Sequence, residues 1–143
     1  MAEDNVITSM LDDLYHEQPI QTALCIGQNL AQYATQHSTQ WHYFSLTEFL
    51  NLPFTQRYDL GVVLLDTAEF KTATDSQKSH MLVKLRDLLA KRIVVVSALH
   101  DEKLLRALGF TQLIDKTTHE QDFALWQFNI LTYKHVPDWF NSK

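Results

Sequence analysis

Two uninterrupted apolar runs constrain the fold of this chain more than any other feature. The first, DLGVVLLD, spans residues 59–66, and the second, RIVVVSA, spans residues 92–98. Strands that are apolar at every position belong to parallel sheets whose two faces are both covered. Parallel neighbours need a long crossover connection, usually a helix. The two runs therefore predict a strand-helix-strand unit in the middle of a parallel sheet.

The residues between these runs carry the stripe of an amphipathic helix. Apolar side chains recur at intervals of three and four residues, which places them on one helical face. They are Met81, Leu82, Leu85, Leu88 and Leu89. Thr74 and Gln77 have the spacing of a capping box, in which each side chain accepts the other residue's backbone N–H. We therefore predict a helix over residues 76–90.

Weaker patterns extend the alternation of strands and helices to both sides of this unit. Short apolar or aromatic runs predict strands at residues 22–27, 41–46 and 111–115. Apolar stripes predict helices at about residues 3–16, at 28–37 and at 101–109. Asp101 is expected to cap the last of these helices, and Gly109 to end it. Such alternation gives helices on both faces of one sheet.

The segment at residues 123–133 fits both a helix and a strand. Trp126, Phe128 and Ile130 alternate with polar residues and are aromatic or β-branched, so we favour a strand. The fold class is then α/β, a three-layer Rossmann-like sandwich whose sheet is mostly parallel with an antiparallel C-terminal strand. We expect one domain over residues 1–143, with a short tail at 135–143. An open edge strand would allow a homo-oligomer.

Charge and cysteine content argue against several functional classes. The formal net charge is −5 and the basic residues are scattered, whereas nucleic-acid-binding proteins concentrate them against phosphates. The single cysteine, Cys25, lies in an apolar run and indicates a packed, inert thiol. The amino terminus is acidic where a signal peptide is basic, and no apolar run approaches the roughly 18 residues of a membrane helix. We expect a cytoplasmic protein with no nucleic-acid or membrane partner.

We expect no metal site. The seven histidines have no close ligand spacing, such as positions i and i+4 on one helix. A structural zinc site would also need more than the one cysteine of this chain.

Ligands of open α/β sheets bind outside the carboxyl ends of the strands. This rule predicts three positions for a site, namely the turn after Gly27, the strand end at Asp66, and the strand end from Ser97 to His100. Asp66 is the candidate catalytic residue, because it is an acid that closes a buried strand. Its alternative role is to cap the following turn.

The order of these segments resembles the class I S-adenosylmethionine-dependent methyltransferase fold. The resemblance covers nearly the whole chain and is carried by RYDLGVVLLD, LRDLLAKRIVVV, ALGF before a strand, and FALWQFNIL. It implies S-adenosylmethionine as the cofactor, with Asp66 facing the transferred methyl group. It also implies cofactor contacts at Gly27, Gln28, Glu48, Asp66 and Ser97. Glu48 stands slightly after the second predicted strand, where that family usually has the acid that holds the ribose hydroxyls.

The half of the chain that would hold the cofactor departs from that family. Its first strand normally runs into a glycine-rich turn, because the backbone passes close to the ligand, but this turn reads Gly27-Gln28-Asn29-Leu30. The distance from Leu46 to Asp59 is also short, so an edge strand is expected to be missing. The leading hypothesis is a methyltransferase-like domain without the usual cofactor loop, acting as a binding or regulatory module. The alternative is an active methyltransferase.

Response-regulator receiver domains supply a further alternative. They place a phosphorylated Asp, a Ser or Thr, and a Lys at successive strand ends, and this chain is similar in Asp66, Ser97 and Lys116. A receiver also holds magnesium with acids after its first strand, and magnesium prefers oxygen ligands. Gly27 and Gln28 occupy that place here, so this hypothesis is a degenerate receiver.

Overall fold

A computed structural model describes residues 11–17, 19–28, 30, 39–53, 56–65, 67–98, 101–115 and 123–129. Its strands are β1 (Thr22–Ile26), β2 (Gln40–Phe44), β3 (Leu60–Leu64), β4 (Arg92–Ala98), β5 (Thr111–Asp115) and β6 (Phe123–Asn129). Its helices are α1 (residues 11–17), α2 (Leu46–Leu50), α3 (Ala68–Lys71), α4 (Asp75–Lys84) and α5 (Glu102–Ala107). A π-helical turn, Leu85–Leu89, continues α4.

The six strands form one sheet in the order β2-β1-β3-β4-β6-β5. β1 pairs in parallel with β2 and β3, and β3 pairs in parallel with β4. β6 lies between β4 and β5 and is antiparallel to both. The predicted fold class is therefore confirmed, as a Rossmann-like α/β fold with a mostly parallel sheet and an antiparallel C-terminal strand.

Separate apolar cores cover the two faces of the sheet. Ile93 and Val95 of β4 pack in one core with side chains of α2, α4 and α5. Val94 and Val96 pack in the other core with side chains of α1. Since successive strand residues point to opposite faces, a central strand between two cores must be apolar at every position. This requirement explains the two continuous apolar runs.

The predicted helix over residues 76–90 is α4 with its π-helical turn. Its capping box is present: Gln77 N–H donates to Thr74 Oγ1 at 3.0 Å, and Thr74 N–H donates to Gln77 Oε1 at 2.9 Å. Gly61 of β3 allows the π-helical turn to approach closely, because a Cβ there would lie 3.1 Å from Leu85 Cδ1.

Other boundaries differ from the sequence predictions. β2 ends at Phe44 rather than at residue 46, because Ser45 caps α2 and accepts the N–H of Glu48 at 3.2 Å. The short helix α3 was not predicted. β6 confirms the strand interpretation for residues 123–129. The predicted helix at 28–37, apart from Gln28 and Leu30, and the tail at 135–143 lie outside the described residues.

β2 occupies one edge of the sheet. The described residues between Phe44 and Leu60 contain α2 and no further strand, in agreement with the short connection in the sequence. As for membrane insertion, none of the helices in the described ranges is both long enough and apolar enough to cross a bilayer.

The Asp59 carboxylate links the amino ends of β1 and β3 through hydrogen bonds. Its Oδ2 accepts the N–H of Gln21 at 2.9 Å and that of Thr22 at 3.3 Å, and its Oδ1 accepts Lys91 Nζ at 3.3 Å. Burial alone would raise the pKa of this carboxyl, but the three hydrogen bonds outweigh burial and lower it. The ionised form is therefore favoured in the folded state.

We expect the stability of the chain to depend on Asp59 in acid. Because the folded-state pKa lies below the unfolded value of about 3.9, the contribution is present above that value and is lost as pH falls through the folded pKa. Asp59→Asn should cost about 1–2 kcal/mol at neutral pH and weaken the loss of stability in acid. Urea unfolding from pH 6 to pH 2 measures both, with Asp13→Asn on the exposed side of α1 as the control. Parallel acid profiles for wild type and Asp59→Asn would contradict the assignment.

Candidate functional site

The connections of the strands place a candidate site at the carboxyl edge of the sheet. From β1 the chain proceeds to β2 on one side, and from β3 it proceeds to β4 on the other. Open α/β sheets bind ligands at such a switch point, outside the carboxyl ends of the two strands. The turn after β1 and the start of α3 therefore lie where a ligand is expected.

Gly27 is enclosed by the end of β3 and by α3. Its φ is 101°, a conformation that strongly favours glycine. A Cβ built on it would lie 2.6 Å from Leu64 O and 3.2 Å from both Thr67 Oγ1 and the Phe70 ring. The Cβ side of Gly27 therefore faces the protein's own atoms rather than open space.

Leu30, three residues after Gly27, points into the protein interior. Leu30 is fully buried in the core on the α1 side, and its N–H donates to Cys25 Sγ at 3.4 Å. Burial raises the pKa of the Cys25 thiol to about 11, against the smaller opposing effect of that hydrogen bond. The prediction that Cys25 is packed in the core is confirmed, and the raised pKa agrees with an unreactive thiol. Gln28 is half-buried beside this turn.

Glu48 lies just beyond the end of β2, as the late acidic position implied. Its Oε1 accepts the N–H of Ser45 at 2.9 Å, so the carboxylate forms part of the capping box of α2. The side chain is exposed. The sequence marked Glu48 as a ribose contact and did not mark its role as a cap.

A buried ion pair lies at the carboxyl end of β4. Lys78 Nζ donates to Asp101 Oδ1 at 3.1 Å, and the side chains are 5% and 1% exposed. Asp101 stands at the start of α5, as predicted, but its carboxylate makes no capping hydrogen bond. The prediction of a side-chain cap is therefore wrong, because Lys78 takes the carboxylate instead.

Ser97 lies near the end of β4 and is completely buried. Its Oγ has no hydrogen-bond partner in the part of the chain that the structure describes, which is uncommon for a buried hydroxyl. The other sequence candidates at this edge, Asp66, His100 and Lys116, lie outside the described residues.

Lys78 is the polar residue at this edge that the sequence predictions missed. A signal for it existed, since Lys78 precedes Met81 and Leu82 by three and four residues and so continues the apolar stripe of α4. A lysine on the buried stripe of a helix needs an acidic partner. Nothing in the sequence indicates that the partner is Asp101, 23 residues further on.

A model of a family of unknown function, DUF6231, matches residues 1–143. The chain belongs to this family. No curated protein matches the DUF6231 chain significantly. The family assignment therefore indicates no activity for this chain.

Solved structures similar to the DUF6231 chain include methyltransferases. Magnesium protoporphyrin IX methyltransferase from Synechocystis PCC 6803, with bound S-adenosylmethionine, has a TM-score of 0.59 at 11% identity over 88% of this chain and 77% of that one. The N-methyltransferase NodS from Bradyrhizobium japonicum WM9 has a TM-score of 0.55 at 14% identity, over 87% of this chain and 93% of that one. At these identities the likeness establishes a class I methyltransferase-like fold.

The strand order distinguishes this fold from a receiver domain. The flavodoxin-like order to which receivers belong is 2-1-3-4-5, with the fifth strand beside the fourth. In the DUF6231 chain the antiparallel β6 separates β5 from β4. The order therefore favours the methyltransferase-like fold over the receiver alternative.

Proposed function

We propose that this chain is a non-catalytic binding module that keeps the methyltransferase-like fold and does not hold S-adenosylmethionine at the turn after β1. The enclosure of Gly27 by Leu64 O, Thr67 and Phe70 carries the proposal. In nucleotide-binding α/β proteins the first glycine of this turn makes the tight bend and a second glycine lets the ligand approach the backbone, whereas Gly27 is the single glycine of this turn. Here the space that glycine leaves is filled by the end of β3 and the start of α3.

The other described groups of this turn also fit the cofactor poorly. A ligand at a strand-to-helix turn is held by free backbone N–H groups, but the N–H of Leu30 is bonded to Cys25 Sγ. The carboxylate expected at the ribose belongs to Glu48, and one of its oxygens is already bonded within the capping box. The Leu30 N–H is therefore not free for a cofactor, and Glu48 has one carboxylate oxygen outside the capping box.

The module would act in the cytoplasm on a partner other than a nucleic acid. The net charge of −5 and the scattered basic residues support the second point, since nucleic-acid affinity depends on clustered cations. What the carboxyl edge retains is the buried Lys78–Asp101 pair with Ser97 nearby in the chain. These groups would bind and orient a ligand through hydrogen bonds.

Titration calorimetry with S-adenosylmethionine and S-adenosylhomocysteine tests the proposal. We expect no saturable heat with either compound at millimolar concentration. The Synechocystis magnesium protoporphyrin IX methyltransferase, whose structure contains S-adenosylmethionine, is the positive control. Saturable one-to-one binding of either compound would overturn the proposal.

An active S-adenosylmethionine-dependent methyltransferase is the second candidate. The observation in its favour is the likeness to a cofactor-bound enzyme over 88% of this chain. This candidate places Gly27 and Gln28 at the amino-acid end of the cofactor and Asp66 at the transferred methyl group. It predicts binding in the same titration, so a single experiment separates the two.

A further inference from the structure

Three polar side chains are buried beneath α4 and α5 at the carboxyl end of β4. Ser97 is 0% exposed, Lys78 4% and Asp101 1%. Ser97 follows Ile93 and Val95 at alternate positions, so its side chain points to the same face of the sheet. That face is covered by α4 and α5. We name Ser97, Lys78 and Asp101 the β4-end cluster.

The register of the sheet places Lys78 and Ser97 at nearly the same level. Leu85 lies against Gly61, whose partner position in β4 is Ile93. Lys78 precedes Leu85 by about 10 Å of helix, and Ser97 follows Ile93 by about 13 Å of strand. A crossover helix returns antiparallel to the strands that it joins, so both distances run toward the carboxyl edge. The ion pair therefore lies over the end of β4 that carries Ser97.

Lys78 and Ser97 have more hydrogen-bonding capacity than the described residues use. An ammonium group has three N–H donors, and the hydrogen bond that the described residues provide to Lys78 Nζ is the one to Asp101 Oδ1. A serine hydroxyl donates once and accepts twice, and Ser97 Oγ has no partner among the described residues. Buried groups of this kind are normally satisfied.

We propose that the β4-end cluster binds the oxygen of a small neutral organic molecule, a carbonyl or an amide oxygen, between Lys78 Nζ and Ser97 Oγ. An acceptor oxygen fits because both groups offer donors. A neutral ligand fits because the Lys78 ammonium already has the Asp101 carboxylate as its counter-charge, and an anionic ligand would be buried without one. The inference deepens the proposed function by naming the class of ligand.

Acetamide and acetate form a matched pair of probes, since they have nearly the same shape and differ in charge. We expect acetamide to give saturable shifts of the backbone amide resonances around Ser97 and Lys78 in two-dimensional NMR spectra of the full chain. Acetate should bind at least about tenfold more weakly because its charge would be uncompensated. Ser97→Ala should remove the response to acetamide, and Ser76→Ala, at an exposed position of α4, should retain it.

Several outcomes would overturn the assignment. They are the absence of saturable shifts with acetamide, an equal response to acetate, and an undiminished response in a folded Ser97→Ala variant. A crystal grown with acetamide that shows only a water molecule at Ser97 Oγ would also overturn it. These failures would leave the calorimetric result with S-adenosylmethionine unchanged, so they are distinguishable from a failure of the proposed function.

Discussion

We expect Asp101→Asn to lower the free energy of unfolding by about 3–5 kcal/mol, because it leaves the Lys78 ammonium buried without a counter-charge. The Lys78–Asp101 pair is 5% and 1% exposed and joins α4 to the start of α5. Replacing both partners by apolar residues of similar volume, as in Lys78→Met with Asp101→Leu, should recover most of the loss. Urea unfolding of the three proteins measures the effect.

An exposed ion pair serves as the control for Asp101→Asn. Glu102 and Arg106 are bonded at 2.9 Å but are each 54% exposed. Exposed pairs contribute about 0–1 kcal/mol, so Glu102→Gln should have a small effect. A loss of less than about 1 kcal/mol for Asp101→Asn would mean that water reaches the Lys78–Asp101 pair.

Gly27→Ala is expected to have the second large effect, a loss of about 2–6 kcal/mol in the free energy of unfolding. The positive φ strains any residue with a Cβ, at a cost of order 1–3 kcal/mol. The clash with Leu64 O at 2.6 Å requires the backbone of β3 to shift, and forced shifts in a packed core cost about 1–3 kcal/mol more.

Gly109→Ala separates these two contributions. Gly109 has a similar φ of 95°, but among the described residues a Cβ there would meet only the Phe128 ring, at 3.7 Å, an ordinary contact. It should therefore cost only the conformational part, and Gly27→Ala should exceed it by about 1–3 kcal/mol. Equal losses in urea unfolding would show that Gly27 is not enclosed as described.

The sequence was most informative where burial applied to both faces of a strand. The continuous apolar runs at residues 59–66 and 92–98 located β3 and β4, because only a strand between two cores needs apolar residues throughout. The capping box of Thr74 and Gln77 also predicted the start of α4, because its hydrogen bonds join residues that are close in the sequence. By contrast, the position of β6 between β4 and β5 depends on long-range pairing that no local pattern encodes.

The candidate site was less predictable than the fold. The single glycine of the turn after β1 was visible, but its enclosure by Leu64 and Phe70 results from contacts roughly 40 residues apart along the chain. Asp101 was interpreted as a cap because its local position permits one, whereas its carboxylate is bonded to Lys78. Side-chain partners distant in the sequence decide such roles.

A crystal structure of the chain soaked with S-adenosylmethionine tests the central claim most directly. We predict no cofactor density beside Gly27, with Thr67 and Phe70 still packed against it as they are here. Cofactor density along Gly27 and Gln28, with its ribose on Glu48, would contradict the account and identify the chain as a cofactor-binding methyltransferase.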